Sequence, residues 1–234
     1  MRRTAGSHRG ADALLDAIVA ADFSTVRVLL ESEPELVRHT ILADRLIKSV
    51  PHWLYIGDTP LHLAAAALEE SIVRCLLDRA ADPRAVNRRG ASPLHYACDP
   101  RPRSGGVWNP EGQARIIDCL IGAGAVVNLA DDGGVTPLHR AVRSRGVAAV
   151  HELLRHRANV SAALRVNGST PLHLAVTGSG AGGTADTNGE QLEIVNALLA
   201  GGADPACSDA RGRSPLSAAR SFEIRKALHR TPSP

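Results

Sequence analysis

The residues best placed to do chemistry are histidines. His62, His95, His139 and His173 recur in one local setting, each preceded by Thr-Pro-Leu or Ser-Pro-Leu. A regular row of imidazoles suggests metal binding or acid–base work. His151-Glu152 opens like the H-E-x-x-H zinc motif, but the residue one turn on is Arg155. His156 falls one place too far round a helix to share a metal. Gly178-Ser179-Gly180-Ala181-Gly182-Gly183 fits G-x-G-x-x-G, with Asp204 about 20 residues on. That fingerprint needs a preceding strand and a following helix, whereas these glycines follow a helical segment. Lys48-Ser49 lacks the glycine frame of a phosphate loop. Cys75, Cys98, Cys119 and Cys207 have no metal-ligand spacing and read as small hydrophobes. These patterns predict no catalytic residue, no metal and no cofactor.

The elements that hold the histidines explain them differently. Thr59-Pro60-Leu61-His62 recurs as Ser92-Pro93-Leu94-His95, Thr136-Pro137-Leu138-His139 and Thr170-Pro171-Leu172-His173, and decays to Ser214-Pro215-Leu216-Ser217. The spacings are 33, 44, 34 and 44 residues, so two intervals are a basic period and two carry an insertion. Thr or Ser caps a helix by accepting an orphan amide. Pro at the first helical position loses nothing by lacking N–H. Histidine at the third can bond back to the cap. A second marker follows each copy: Ile72-Val73-Arg74-Cys75-Leu76-Leu77, Ile116 to Ile121, Ala149 to Leu154 and Ile194 to Leu199. Its apolar spacing makes one helical face, and small-residue exits such as Gly202-Ala203-Asp204-Pro205 end it.

The Thr-Pro-Leu-His string, the paired leucines and the Gly-Ala-Asp exit resemble the ankyrin-repeat family over about residues 11–229. The resemblance implies an all-α ankyrin-repeat solenoid of helix–turn–helix–finger units. Its expected divisions are a disordered N-terminus (1–10), an N-terminal cap (11–37) and a long finger insertion (38–57). Repeat 1 (58–90), repeat 2 (91–134, insertion 99–112), repeat 3 (135–168) and repeat 4 (169–212, insertion 178–189) follow. A C-terminal cap (213–229) and a disordered tail (230–234) complete the reading. The family has Gly in left-handed geometry after the second helix, where this chain has Ala80 and Arg157. Within the long finger, Ile41, Leu42, Leu46 and Ile47 are expected on a short amphipathic helix.

The resemblance also implies a non-enzymatic module that binds a partner protein on a concave surface of finger tips and first-helix faces. By position those residues are Val86, Arg88, Arg89, Ala130, Asp131, Asp132, Arg143, Val166, Asn167, Ala210 and Arg211, with Thr59, His62, Ser92, His95, Thr136, His139, Thr170, His173 and Ser214 as structural caps. Trp53, Tyr55 and Trp108 lie in insertions, where each anchors a partner or packs back on its own repeats. Fingers and helix–helix loops sit at opposite ends of a repeat, so one compact site does not use both tryptophans. The alternative is a small-molecule or catalytic site under the long finger, lined by His52, Trp53 and Tyr55.

Composition narrows the partner class. Net charge is +3, and 25 Arg outnumber two Lys, a bias that points to a GC-rich, bacterial source. Arg88 and Arg89 alternate with Asp131 and Asp132, then Arg165 and Arg211, which suits a mixed-charge protein surface and not nucleic acid. No secretory signal or membrane-length apolar run is read, so a cytoplasmic location is expected.

Overall fold

The computed structural model describes residues 4–47, 52–99, 109–177 and 187–229. In chain order they form α1 (Thr4–Ala20), α2 (Phe23–Ser32), a 3-10 turn (Pro34–Arg38), β1 (Arg45–Ile47), β2 (His52–Leu54), α3 (Pro60–Ala67) and α4 (Glu70–Asp78). Then come α5 (Pro93–Cys98), α6 (Pro110–Gly122), α7 (Pro137–Arg143), α8 (Val147–Arg155), α9 (Pro171–Val176), α10 (Thr187–Ala200), α11 (Pro215–Ala218) and α12 (Phe222–Leu228). The chain divides into two compact units, residues 1–126 and 127–234.

Each unit is a stack of helix pairs. In the first, α1, α3 and α5 pack in succession as one layer, and α2, α4 and α6 as a second. In the second unit, α7, α9 and α11 form one layer and α8, α10 and α12 the other. Leu61, Ile72, Leu76, Leu94, Ile116 and Leu120 are fully buried in the first unit, as are Val150, Leu153, Leu172 and Leu198 in the second. Each such side chain stabilises by about 2 kcal/mol, and a single pair has no second face to bury it, so neighbouring repeats supply the core.

Local chemistry places the helix starts. Thr59, Ser92, Thr136, Thr170 and Ser214 are extended N-caps, each followed by Pro at the first helical position and each forming a capping box. The left-handed exit after the second helix is kept whatever the residue. Gly124 has φ 104° and Gly202 φ 88°, but Ala80 has φ 61° and Arg157 φ 60°. The Cβ clash in that region costs about 1–2 kcal/mol at each non-glycine position.

Three features differ from the sequence reading. Helix α1 begins at Thr4, inside the segment expected to be disordered, and its buried Gly10 lies against the Glu33 carboxylate beyond α2. The long finger carries no helix at Ile41 to Ile47. Strands β1 and β2 pair antiparallel instead, Leu46 opposite Trp53. Finally, α6 and α10 start inside the ranges expected as insertions, at Pro110 and Thr187. The remainder of both insertions and residues 230–234 lie outside the described residues.

The two inserted repeats share a device. The Gln113 side-chain amide donates to the Ala97 carbonyl at 2.8 Å, and Gln191 to the Ala175 carbonyl at 2.7 Å. Each glutamine satisfies an orphan carbonyl at the end of the preceding short helix. The repeats without insertions turn through left-handed Leu68 and Arg145 instead.

Candidate partner-binding surface

The histidine row is stitched into the backbone. The Nδ1 atoms of His62, His139 and His173 accept the cap residue's backbone N–H at 3.1, 3.2 and 3.1 Å. With Nδ1 accepting, the ring proton sits on Nε2 and donates to a carbonyl of the next repeat: Ala91 at 3.1 Å, Ser169 at 3.3 Å and Arg213 at 3.0 Å. Both nitrogens are occupied, so these rings offer neither a metal lone pair nor a mobile proton. Burial pushes the His139 imidazole down to about 4, which keeps it neutral. Each histidine thus joins its own helix cap to the following finger.

The fingers are hairpins whose turns are built by buried Asn or Asp. Asn87 Oδ1 accepts from the Arg89 and Ala91 N–H groups. Asp131 Oδ1 accepts from Gly133 and Val135, and Asp209 Oδ1 from Arg211 and Arg213. These bonds, with that from Arg213 the largest, hold the Asp209 carboxyl at about 2. The hairpin from Leu164 to Ser169 is one residue longer than the others, which accounts for the 34-residue spacing. Neighbouring fingers are hydrogen-bonded: Arg88 N–H donates to the Ile56 carbonyl, Arg165 to Gly133, and Ala210 to Asn167. Gly134 has φ 78°, and a Cβ there would lie 2.7 Å from the Arg165 nitrogen; only glycine permits that approach.

In the first unit the long finger is held by a buried carboxylate. Asp58 is fully buried. Its Oδ1 accepts from Asn87 Nδ2 at 2.9 Å, and its Oδ2 from the Tyr96 hydroxyl and the Tyr55 N–H, both at 2.7 Å. The His62 ring meets Tyr96 edge-on at 5.2 Å. Asp44 takes the Ile56 N–H at 3.0 Å and pairs with Arg88. Tyr55 is half-buried, with the Arg88 guanidinium 5.8 Å and the Arg89 guanidinium 4.2 Å from its ring centroid. Trp53 points outward at 51% exposure while Leu54, its strand neighbour, is fully buried. The side chain of His52 and all of Trp108 lie outside the described residues.

The positions picked by sequence fall into two groups. Val86, Arg88, Arg89, Ala130, Asp132, Arg143, Val166, Ala210 and Arg211 are exposed, as is Trp53. Asp131 is buried and Asn167 half-buried. Asp131 builds its finger turn and pairs with Arg140 at 3.3 Å, and Asn167 accepts from the Ser169 N–H. These two shape the backbone and leave contact to their neighbours. Asp131 looks like a solvated charge in sequence because its acceptor role depends on chain folding back four residues on. Sequence reading missed Asp58, Tyr96 and Asn87. The available signal was that Asp58 alone places a carboxylate directly before a cap, and Tyr96 alone places an aromatic directly after the repeat histidine.

In the second unit a small cavity of about 50 Å³ is lined by Val142, Arg143, Arg145, Leu174, Ala175, Gln191 and Ile194. It holds a few waters at most, far short of an organic cofactor. Burial raises the thiols of Cys75, Cys119 and Cys207, away from the reactive thiolate. No described helix is long and apolar enough to cross a membrane.

Comparison with known proteins agrees with this architecture. A family model described as ankyrin repeats (3 copies) matches residues 14–102 and 108–182, and one described as ankyrin repeat matches residues 167–210. The B-cell lymphoma 3 protein homolog of Mus musculus is 32% identical over 196 residues, 72% of this chain and 41% of that protein. The tyrosine-protein kinase Shark of Drosophila melanogaster is 36% identical over 99 residues, 42% of this chain and 9% of the kinase. NF-kappa-B inhibitor delta of Mus musculus is 35% identical over 94 residues, 39% of this chain and 25% of that protein. The chain spans less than half the length of each of these relatives.

Proposed function

We propose that this chain, which belongs to the ankyrin-repeat family, is a non-enzymatic module that binds a partner protein through finger tips and first-helix faces. The observation that carries the reading is the division of labour within each finger. Asn87, Asp131 and Asp209 lock the turns from inside, and the residues beside them stand free in solvent. Val86, Arg89, Asp132, Val166 at 83% exposure, Ala210 and Arg211 are such residues. A backbone already fixed loses little entropy on binding, so exposed side chains on it convert contact into affinity efficiently. In the row of histidines, His62, His139 and His173 have both ring nitrogens engaged in caps and fingers, which favours a structural role over a catalytic one. One relative is by name an inhibitor of NF-kappa-B, a role consistent with binding another protein.

The test is affinity capture from the native cell with the wild type and an Arg89→Glu/Arg211→Glu variant in parallel. Both side chains are exposed, so the variant should melt with the wild type. The expected result is a partner protein held by the wild type and lost by the variant. Equal recovery of every captured protein would contradict the finger surface as the binding face.

A further inference from the structure

The first two fingers combine exposed apolar surface with uncommitted positive charge. Among the described residues, four of the nine large exposed hydrophobic side chains, Leu42, Trp53, Ile56 and Val86, belong to these fingers. Their backbones are not loose. Ile41 bonds to Gly57 and Asp58, the Ile56 carbonyl accepts from Arg88, and Asp58 anchors Tyr55. The patch is therefore preformed, and its apolar side chains gain no packing of their own by facing water.

The charge around it is lopsided. Among the described side chains of residues 38–58 and 86–91, Arg38, Arg88 and Arg89 are cationic and Asp44 and Asp58 anionic. Both carboxylates are engaged internally, Asp44 by Arg88 and the Ile56 N–H, and Asp58 in its buried network. Arg89 is held differently. Its guanidinium lies over the Tyr55 ring at 4.2 Å, and among the described residues no carboxylate is paired with it. Stacking uses the flat face of a guanidinium and leaves its edge donors for an incoming carboxylate. Tyr55 thus orients a cation on the same finger as exposed Trp53, two residues along the chain.

We propose that these two fingers dock an acidic peptide segment of the partner, with a large apolar side chain against Trp53 and carboxylates on Arg89. The proposal rests on the protein-binding reading above and adds the partner's chemistry to it. A nucleic-acid strand fits less well. Aliphatic Leu42, Ile56 and Val86 offer no ring on which a base could stack and suit peptide side chains more.

The test pans a displayed library of random linear peptides on the full chain. Synthetic copies of the enriched peptides are then titrated by fluorescence anisotropy against the wild type, Trp53→Ser, Arg89→Glu, Ala210→Glu on another finger and, as a control on helix α10, Asn196→Glu. The expected consensus surrounds one large apolar residue with Asp and Glu. Affinity should fall about tenfold or more in Trp53→Ser and in Arg89→Glu, weaken with salt, and hold in the control. If Trp53→Ser disturbs melting, Arg89→Glu carries the test alone. Peptides indifferent to Trp53 and Arg89 but sensitive to Ala210 would overturn this site and leave the protein-binding reading standing. An absence of any binding peptide would overturn both. Arg89-dependent binding of a single-stranded oligonucleotide probe, tighter than that of any peptide, would also overturn the proposal.

Discussion

Acidification should destabilise the fold through His139, and the size of the effect follows from its surroundings. The ring is 1% exposed. Its Nδ1 accepts the Thr136 N–H at 3.2 Å, so a second ring proton would face a donor in a water-poor site. Burial moves the imidazole from 6.5 to about 4. Above 6.5 the ring is neutral in both folded and unfolded chains and adds no pH dependence. As the pH falls from 6.5 towards 4, the unfolded chain takes up a proton that the folded chain refuses, and stability is lost. At about pH 5 the linkage amounts to roughly 2 kcal/mol, approaching roughly 3 kcal/mol near pH 4. Asp22 and Asp209, both held at about 2, titrate below this window. The perturbation is His139→Gln, which keeps an acceptor for the cap amide and removes the titration. Near pH 7 the variant should be less stable by about 1 kcal/mol, through loss of the bond to the Ser169 carbonyl. Between pH values near 7 and 5, however, it should lose about 2 kcal/mol less than the wild type. Urea unfolding followed by circular dichroism at the two pH values measures both quantities. Parallel declines in wild type and variant would refute the assignment of His139 as a buried neutral ring.

Five further substitutions probe the repeat scaffold. Ala80→Gly and Arg157→Gly should each raise stability by about 1 kcal/mol, the left-handed penalty less the extra freedom of unfolded glycine. Unchanged melting would mean that φ values of 61° and 60° carry no strain. Gly134→Ala should cost about 2–3 kcal/mol and Gly212→Ala only about 1 kcal/mol. Both have positive φ, but only at Gly134 does a Cβ meet a neighbouring finger; equal losses in chemical denaturation would contradict that contact. Asp58→Ala should cost about 2–3 kcal/mol, since it strands Asn87, the Tyr96 hydroxyl and the Tyr55 amide, and a near-neutral result in the same assay would remove the buried network from the account.

What the sequence revealed was what local chemistry decides. A Thr or Ser cap, Pro and a returning histidine, or Ser217 in the last copy, lie within four residues, so the starts of α3, α5, α7, α9 and α11 were readable from the string alone. Partners distant in sequence were not. The run from Ile41 to Ile47 carries apolar residues compatible with a helix, and its choice of strand depends on Ile41 pairing with Asp58 and Asp44 taking the Ile56 amide. The second half of each histidine's role was hidden for the same reason. The carbonyl that accepts from Nε2 lies 29 residues on for His62, 30 for His139 and 40 for His173. In the candidate surface, exposure at finger tips such as Arg89 and Arg211 follows from turn position. The withdrawal of Asp131 into its own turn, and of Arg88 onto Asp44, depends on geometry that spacing does not carry.

The central claim is that the finger tips meet a partner protein and the outer helices do not. Site-specific photo-crosslinking in the native cell tests it most directly. A photoreactive residue is placed at Val86, Ala130 or Ala210 on the fingers, and at Ser71 or Asn196 on the outer helices α4 and α10, all five exposed. The account predicts a crosslinked protein of the same mass from finger positions and none from the outer helices. Crosslinks to protein from Ser71 or Asn196 alone, or from no position at all, would contradict it.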